Sequence, residues 1–299
     1  MPADRDLDVV LVGATGFTGR LTAQYLARHA PLGLRWAVAG RDRARLGAVR
    51  DHLATISPAA AGLELMHADA HDPASLADLA RRTSVVASAV GPFLEHGAGL
   101  VAACAEAGTD YADVAGEPEF VDRMWLAHHR TAVRTGARLV HACGFDAVPH
   151  DLGALLTVRQ LPADQPITLR GVVRTGGSFS GGTFHSLLNQ LSRTRQLRDA
   201  RLARERAESR LGSRSSRAVP GRPHRDPVLG YWLLPLPTID PIVVARSGAA
   251  LRSAVPLRPL RRHPDPALRR RRRPRCRRSG RGRAGPGGTP LPAGQDRAR

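Results

Sequence analysis

The sequence predicts an α/β chain: a doubly wound parallel sheet, a second, incomplete α+β segment behind it, and a disordered Arg/Pro-rich tail. Three observations lead there. Short apolar runs alternate with amphipathic stretches from Val9 to Ala142, a glycine-rich turn follows the first apolar run, and composition changes abruptly after Leu251. Strands separated by helical stretches pair in parallel and are covered on both faces, which is why they read as continuous apolar runs. At 299 residues and 42% hydrophobic content the chain can hold two domains and at least one full core.

Taken in order, Val9–Val12 is the first strand and Arg20–His29 the helix after it. Leu34–Ala39, Leu63–Met66 and Ser84–Ala89 are the next strands, separated by helices at Arg43–Leu53 and Pro73–Arg81. A helix over Gly97–Ala107, a strand at Tyr111–Val114, a long helix over Glu117–Thr135 and a strand at Arg138–Ala142 complete the alternation. From Val148 the pattern becomes a helix, a strand at Ile167–Val173, a glycine-rich turn at Gly176–Gly182, and an arginine-laden helix from Thr183 to about Ser209. Gly212–Asp226 is rich in Ser, Arg, Pro and Gly and is expected to be a mobile linker, with order returning at Tyr231–Val244.

The net charge of +19 resembles a nucleic-acid signal until its distribution is read. Residues 251–299 hold 16 Arg against 2 Asp, so they carry +14 of it and leave +5 for the first 250 residues. All 45 basic residues are arginine, a bias that suits a very GC-rich coding sequence. The tail also has 8 Pro and no Phe, Trp, Tyr or Ile, so it cannot bury enough surface to offset chain entropy. No specific nucleic-acid partner is expected, although the tail would attract polyanions. One choice of codons for Val255–Leu260, shifted by one base, reads Tyr-Arg-Tyr-Gly-His. The expectation is therefore that the reading frame is lost near Leu251. Three cysteines without metal spacing predict a reducing compartment and no structural metal. The polar start and the absence of a long apolar run predict a cytoplasmic chain.

The first apolar run leads into Gly13-Ala14-Thr15-Gly16-Phe17-Thr18-Gly19. Glycine at 13 permits a tight turn, at 16 lets a pyrophosphate approach the backbone, and at 19 lets the helix pack on the sheet, while the helix start offers free N–H groups. This strand–turn–helix context predicts a Rossmann-type dinucleotide domain over residues 1–147. Residues 148–250 would form a partial substrate or dimerisation domain, and 251–299 the tail. The second strand ends in Ala39-Gly40-Arg41, where a dinucleotide fold meets the adenine ribose. A guanidinium binds phosphate with charge-assisted, bidentate bonds, so Arg41 favours NADP (as NADPH) over NAD. Asp42 is the competing candidate, since it could take the ribose itself. Asp69 is placed to approach the adenine, and Val90, Gly91 and Pro92 to meet the nicotinamide half.

Val90-Gly91-Pro92-Phe93 with His96-Gly97, Cys104, Gly108-Thr109-Asp110-Tyr111-Ala112-Asp113, Gly116-Glu117 and Cys143-Gly144-Phe145-Asp146-Ala147-Val148-Pro149-His150-Asp151-Leu152-Gly153 together resemble the saccharopine dehydrogenase-like oxidoreductases. Ser180-Gly181-Gly182-Thr183 and Asp240-Pro241-Ile242-Val243-Val244 are similar too. Within that family the chain is most similar to the trans-acting enoyl reductases that work beside polyketide synthases in mycobacterial-type glycolipid assembly. The resemblance covers about Asp8 to Leu251 and stops there, although the family is longer. It implies hydride transfer from a nicotinamide cofactor to a small-molecule or acyl-carrier-linked substrate. A homodimer and peripheral association with the plasma membrane through lipid metabolism are further expectations.

An enoyl reduction needs an apolar channel and a proton donor as the enolate forms. Tyr111, His96 and Asp146 are the candidates carried forward for that donor, ahead of His150, Asp113 and Glu117. Each has a structural alternative: a core phenol, an incidental helix-start histidine, a turn brace. Cys143 lacks a partner that would activate it. A saccharopine-type amino-acid reductase, which would need cations for several substrate carboxylates, is the competing enzyme. A non-catalytic cofactor-binding remnant and a polyanion-binding tail are the other readings.

Overall fold

In the computed structural model, which describes residues 5–162, 165–174, 192–208, 215–235 and 238–251, six parallel strands form one sheet. They are β1 Leu7–Val12, β2 Trp36–Gly40, β3 Glu64–His67, β4 Thr83–Ser88, β5 Asp110–Asp113 and β6 Leu139–Val140, in the order β3-β2-β1-β4-β5-β6. The order reverses between β1 and β4, and ligands of such sheets bind at that crevice, beyond the carboxyl ends of the strands.

The alternation of strand side chains assigns each residue to one of two cores. Val10, Val12, Ala37, Ala39 and Val86 face one side and pack with α3 (Pro73–Arg82), α5 (Ala98–Ala107) and α6 (Pro118–Thr135). Leu11 and Val38 face the other and pack with α1 (Phe17–His29) and α2 (Arg43–Ile56). Val10, Val38 and Val86 have no exposed surface, which at roughly 1.5–3 kcal/mol per buried aliphatic side chain makes these strands the anchor of the fold. Asp42 and Asp72 cap α2 and α3 by accepting from Arg45 N and from Ala74 N and Ser75 N. Gly108 and Gly136, at φ +70° and +82°, close α5 and α6 in the left-handed conformation. The stretch expected as one helix from Gly97 is preceded by a single turn, α4 (Phe93–His96).

Beyond the sheet lie α7 (Val148–Val158), α8 (Thr194–Ala207), a hairpin of β7 (His224–Arg225) with β8 (Trp232–Leu233), and α9 (Asp240–Ala250). Two arginines of this region are structural: Arg193 forks onto the buried Glu119 at 2.9 and 2.8 Å, and Arg204 reaches Asp122 at 2.7 Å, so α8 docks on α6. The strand expected at Ile167–Val173 does not form. The segment has no ladder partner among the described residues, and Leu169, Val172 and Val173 stay exposed, so its backbone groups are left to solvent rather than to a sheet. His224–Arg225 falls inside the expected linker. It is ordered because Asp226 accepts from Val228 N and Leu229 N and closes the hairpin turn. The expected turn at Gly176–Gly182, the start of the helix at Thr183 and the tail from Arg252 lie outside the described residues.

Candidate functional site: a dinucleotide cradle at the switch point

The glycine turn sits where the strand order reverses. Gly13 adopts φ +91°, and a Cβ there would meet Val90 Cγ2 at 2.8 Å, so the turn lies directly against the chain leaving β4. Gly19 is constrained by α1 itself: a Cβ would come within 2.0 Å of Gly13 O and 2.7 Å of Gly13 C. Gly16 is different. A Cβ there would touch only Gly13 O, at 3.4 Å, so its outward side is open to a ligand. Ala14 is fully buried beneath the turn, while Gly16, Phe17 and Thr18 are exposed and Thr15 half-buried.

The amino end of α1 has neither a side-chain cap nor an acidic residue in its first turn. Its N–H groups and positive dipole end are therefore left for an anion, unlike those of α2 and α3. Thr15 also lines a 380 Å³ cleft between α1 and α2 with Arg20, Arg45 and His52.

At the end of β2, Asp42 is committed to capping α2, its Oδ1 3.0 Å from Arg45 N. That occupation weighs against its taking a ribose. Arg41 is exposed beside it and forms no ion pair among the described residues. Its charge helps hold the Asp69 carboxyl below the usual range, although the larger cause is the bond Asp69 accepts from His71 N at 3.0 Å. Asp69 thus braces its own turn at the edge of the adenine side.

Across the crevice, the turn Val90-Gly91-Pro92 is held by Glu117. This buried carboxylate accepts from Phe93 N at 3.0 Å and from Leu94 N at 2.9 Å, capping α4 from 23 or 24 residues away in the chain. Gly91–Pro92 is a cis peptide.

The proton-donor candidates do not converge. Tyr111 is 1% exposed in the main core, and burial pushes its phenol well above the ordinary range. Its hydroxyl lies beside Asp113 and Ser88 without a hydrogen bond of good geometry. His96 stands edge-on to His71 at 5.9 Å, on the Asp69 side. Asp146 lies against the loops after β5 and β6: its Oδ2 would be 3.2 Å from a Cβ on Gly116 and its Oδ1 2.8 Å from one on Gly144. Burial raises the Asp146 carboxyl above the usual carboxylate range, Asp240 adds to the rise and His150 opposes it. Of the three, Asp146 combines partial exposure with a reason to hold a proton. Burial also raises the Cys143 thiol, the opposite of what a nucleophile requires.

Residues 9–140 match the family model described as the saccharopine dehydrogenase NADP-binding domain. Over that stretch the chain is similar to saccharopine dehydrogenase NADP-binding domains. That family model names NADP as the ligand of its domain, in keeping with the open Gly16 face, the uncapped α1 and the exposed Arg41 of this chain. The chain is 47% identical over 163 residues to a trans-acting enoyl reductase of Mycobacterium bovis, a match covering 54% of this chain and 38% of that protein. It is 34% identical over 262 residues to a mitochondrial saccharopine dehydrogenase-like oxidoreductase of Arabidopsis thaliana, covering 80% and 55%. Among solved structures, the glutamate-forming saccharopine dehydrogenase of Saccharomyces cerevisiae matches with TM-score 0.43 and 19% identity over 52% of this chain and 31% of that one. The chain spans about half the length of the curated relatives it matches.

The carboxyl ends of β5 and β6 hold one pair that the motifs do not announce. His141 Nδ1 lies 2.6 Å from Asp113 Oδ2, while Asp113 Oδ1 accepts from Ala115 N and Ala142 N, both at 3.0 Å. The signal was in the register. Tyr111 pairs with Leu139 in the parallel ladder, so the residues two further on, Asp113 and His141, emerge side by side on one face. Ala142 follows at φ +60°, a left-handed conformation that costs an alanine about 1 kcal/mol and is held here by its bond to Asp113.

Proposed function

We propose that the chain is an NADP-dependent oxidoreductase that reduces an enoyl group on an acyl or polyketide intermediate carried as a thioester, in glycolipid biosynthesis. The observation that carries this reading is the 47% identity to trans-acting enoyl reductases, on a chain whose glycine turn is open at Gly16 and whose Arg41 is exposed. When bound, the cofactor supplies a hydride. The chain's own residues do the rest: the amino end of α1 takes the pyrophosphate, Arg41 the 2′-phosphate, and Glu117 fixes the turn at Val90–Pro92 that would support the nicotinamide half. Asp146, raised by burial, is the proposed proton donor at the loops beyond β5 and β6. Residues 148–250 are proposed to contribute to the substrate and dimer side.

No helix among the described residues is long and apolar enough to cross a membrane. A cytoplasmic site of action, peripheral at the plasma membrane, with an acyl-carrier partner and a homodimer, belongs to this proposal and suits a lipid-linked substrate. The test is oxidation of NADPH by the full chain with trans-2-octenoyl-N-acetylcysteamine or with the saccharopine-forming substrate pair. The proposal expects turnover of the enoyl thioester and a saturated product. Turnover of the amino-acid substrate alone would replace it with the saccharopine-type reading.

A further inference from the structure

Between α6, the edge strand β6 and α9 runs a cleft of 530 Å³ that the dinucleotide cradle does not use. Its size is that of a small-molecule site, and such sites are apolar with a few convergent polar groups. The walls here are Val121, Met124, Leu139, Ile242 and Val243. His141 lines it as well, with its side chain 9% exposed and its ring packed edge-on to Phe120 at 5.4 Å. Asp113 holds Nδ1, and both Asp113 oxygens are already used, so the ring is fixed in orientation. Among the described residues, Nε2 has no hydrogen-bond partner.

The other charged groups along the cleft are engaged. Arg204 is bound to Asp122 at 2.7 Å and lies over the Trp125 ring at 5.3 Å, and Arg246 is bound to Glu208 at 2.5 Å. The cleft therefore offers apolar walls, one oriented imidazole and no spare guanidinium. That chemistry suits an uncharged chain ending in a hydrogen-bond acceptor and does not suit a dicarboxylate or an amino acid.

We propose that this cleft binds the acyl chain of a thioester substrate, with His141 Nε2, positioned by Asp113, donating to the thioester carbonyl oxygen. The donating form is the imidazolium, ion-paired with Asp113. The proposal rests on the reading of the chain as an acyl-directed reductase, and adds to it the place where the acyl group lies.

The experiment titrates the full chain with octanoyl-N-acetylcysteamine by calorimetry, with NADPH titrated in parallel and glutarate as a charged control. Saturable binding of the thioester and none of glutarate is expected. Val243→Trp, which fills the cleft, and Val133→Trp, at its exposed rim, should each weaken the thioester at least about tenfold and leave NADPH affinity unchanged. His141→Gln should weaken it several-fold, and in the parent chain the thioester should shift the His141 imidazole nitrogen resonances. Thioester binding indifferent to both tryptophan variants, or preferential binding of glutarate, overturns the proposal. Failure of NADPH to bind overturns the proposed function instead, and the cleft is then judged by the thioester titration alone.

Discussion

Two alanine substitutions in the glycine turn separate what the turn does for the fold from what it does for the ligand. At Gly19 the new Cβ would lie 2.0 Å from Gly13 O and 2.7 Å from Gly13 C, and both obstacles are backbone. Relief requires α1 to move off the sheet by more than an ångström. Overpacking of a tight core costs about 1–3 kcal/mol, and with no flexible side chain to yield, Gly19→Ala is expected at or above about 3 kcal/mol. At Gly16 the backbone is at φ −79° and ψ 172°, which alanine accepts, and the only contact is with Gly13 O at 3.4 Å. Reduced freedom in the unfolded chain offsets the weaker helix cap, so Gly16→Ala should stay within about 1 kcal/mol of the parent. Its methyl group would stand over the proposed phosphate path. Loss of one backbone bond to a charged phosphate, about 1.5–3 kcal/mol, predicts NADPH binding weaker by about 10- to 100-fold. Urea denaturation and NADPH titration on both variants form the assay. A Gly16→Ala chain that binds NADPH like the parent, or a Gly19→Ala chain of parental stability, would refute the reasoning.

Three further outcomes are expected. Glu117→Gln replaces one acceptor of the Phe93 and Leu94 amides with an NH₂ donor, leaving a buried N–H unsatisfied at a cost of about 2–4 kcal/mol, measured as a lowered urea midpoint. An unchanged midpoint would show that Glu117 does not hold the turn. For Asp146, burial raises the folded pKa above the unfolded value, so the folded chain binds that proton more tightly. Its contribution is then fully present at low pH and declines as pH rises through the folded pKa. Asp146→Asn should therefore gain stability relative to the parent as pH rises from about 4, the ordinary carboxylate value, through the folded pKa, and a Tm difference that shrinks over that rise would reverse the assignment. Separating Arg204 from Asp122 by Arg204→Met leaves a buried carboxylate unpaired, and at about 3–5 kcal/mol for breaking such a pair, α8 should detach and become protease-sensitive.

The parts of this fold that sequence made legible are those whose cause is local. Asp42 and Pro73 mark the starts of α2 and α3, and Gly108 and Gly136 mark the ends of α5 and α6, because caps act within a turn of where they stand. The strand cores were readable for a related reason: burial on both faces requires near-continuous apolar runs. Glu117 was visible only as a carboxylate near a helix start. Its role depends on amides 23 and 24 residues earlier, and no local pattern announces such a partner. Arg193, at the start of α8, and Arg204 within it are similar, since their meaning lies in Glu119 and Asp122 on α6. Ile167–Val173 shows the converse failure: apolar residues suited to a strand do not make one without a neighbouring ladder. Tyr111, which chemistry made attractive at a strand end, faces the core because its parity on β5 places it under α6.

The central claim is that residues 9–140 hold NADP through the glycine turn, with Arg41 as the reader of the 2′-phosphate. Fluorescence titration of the full chain with NADPH and NADH, on the parent and on Arg41→Ala, tests it most directly. High salt suppresses nonspecific attraction to the 16 arginines of residues 251–299. The account expects saturable NADPH binding about tenfold or more tighter than NADH, and loss of that preference in Arg41→Ala with NADH affinity unchanged. Equal affinity for the two cofactors in the parent, or an undiminished NADPH preference in Arg41→Ala, would contradict it.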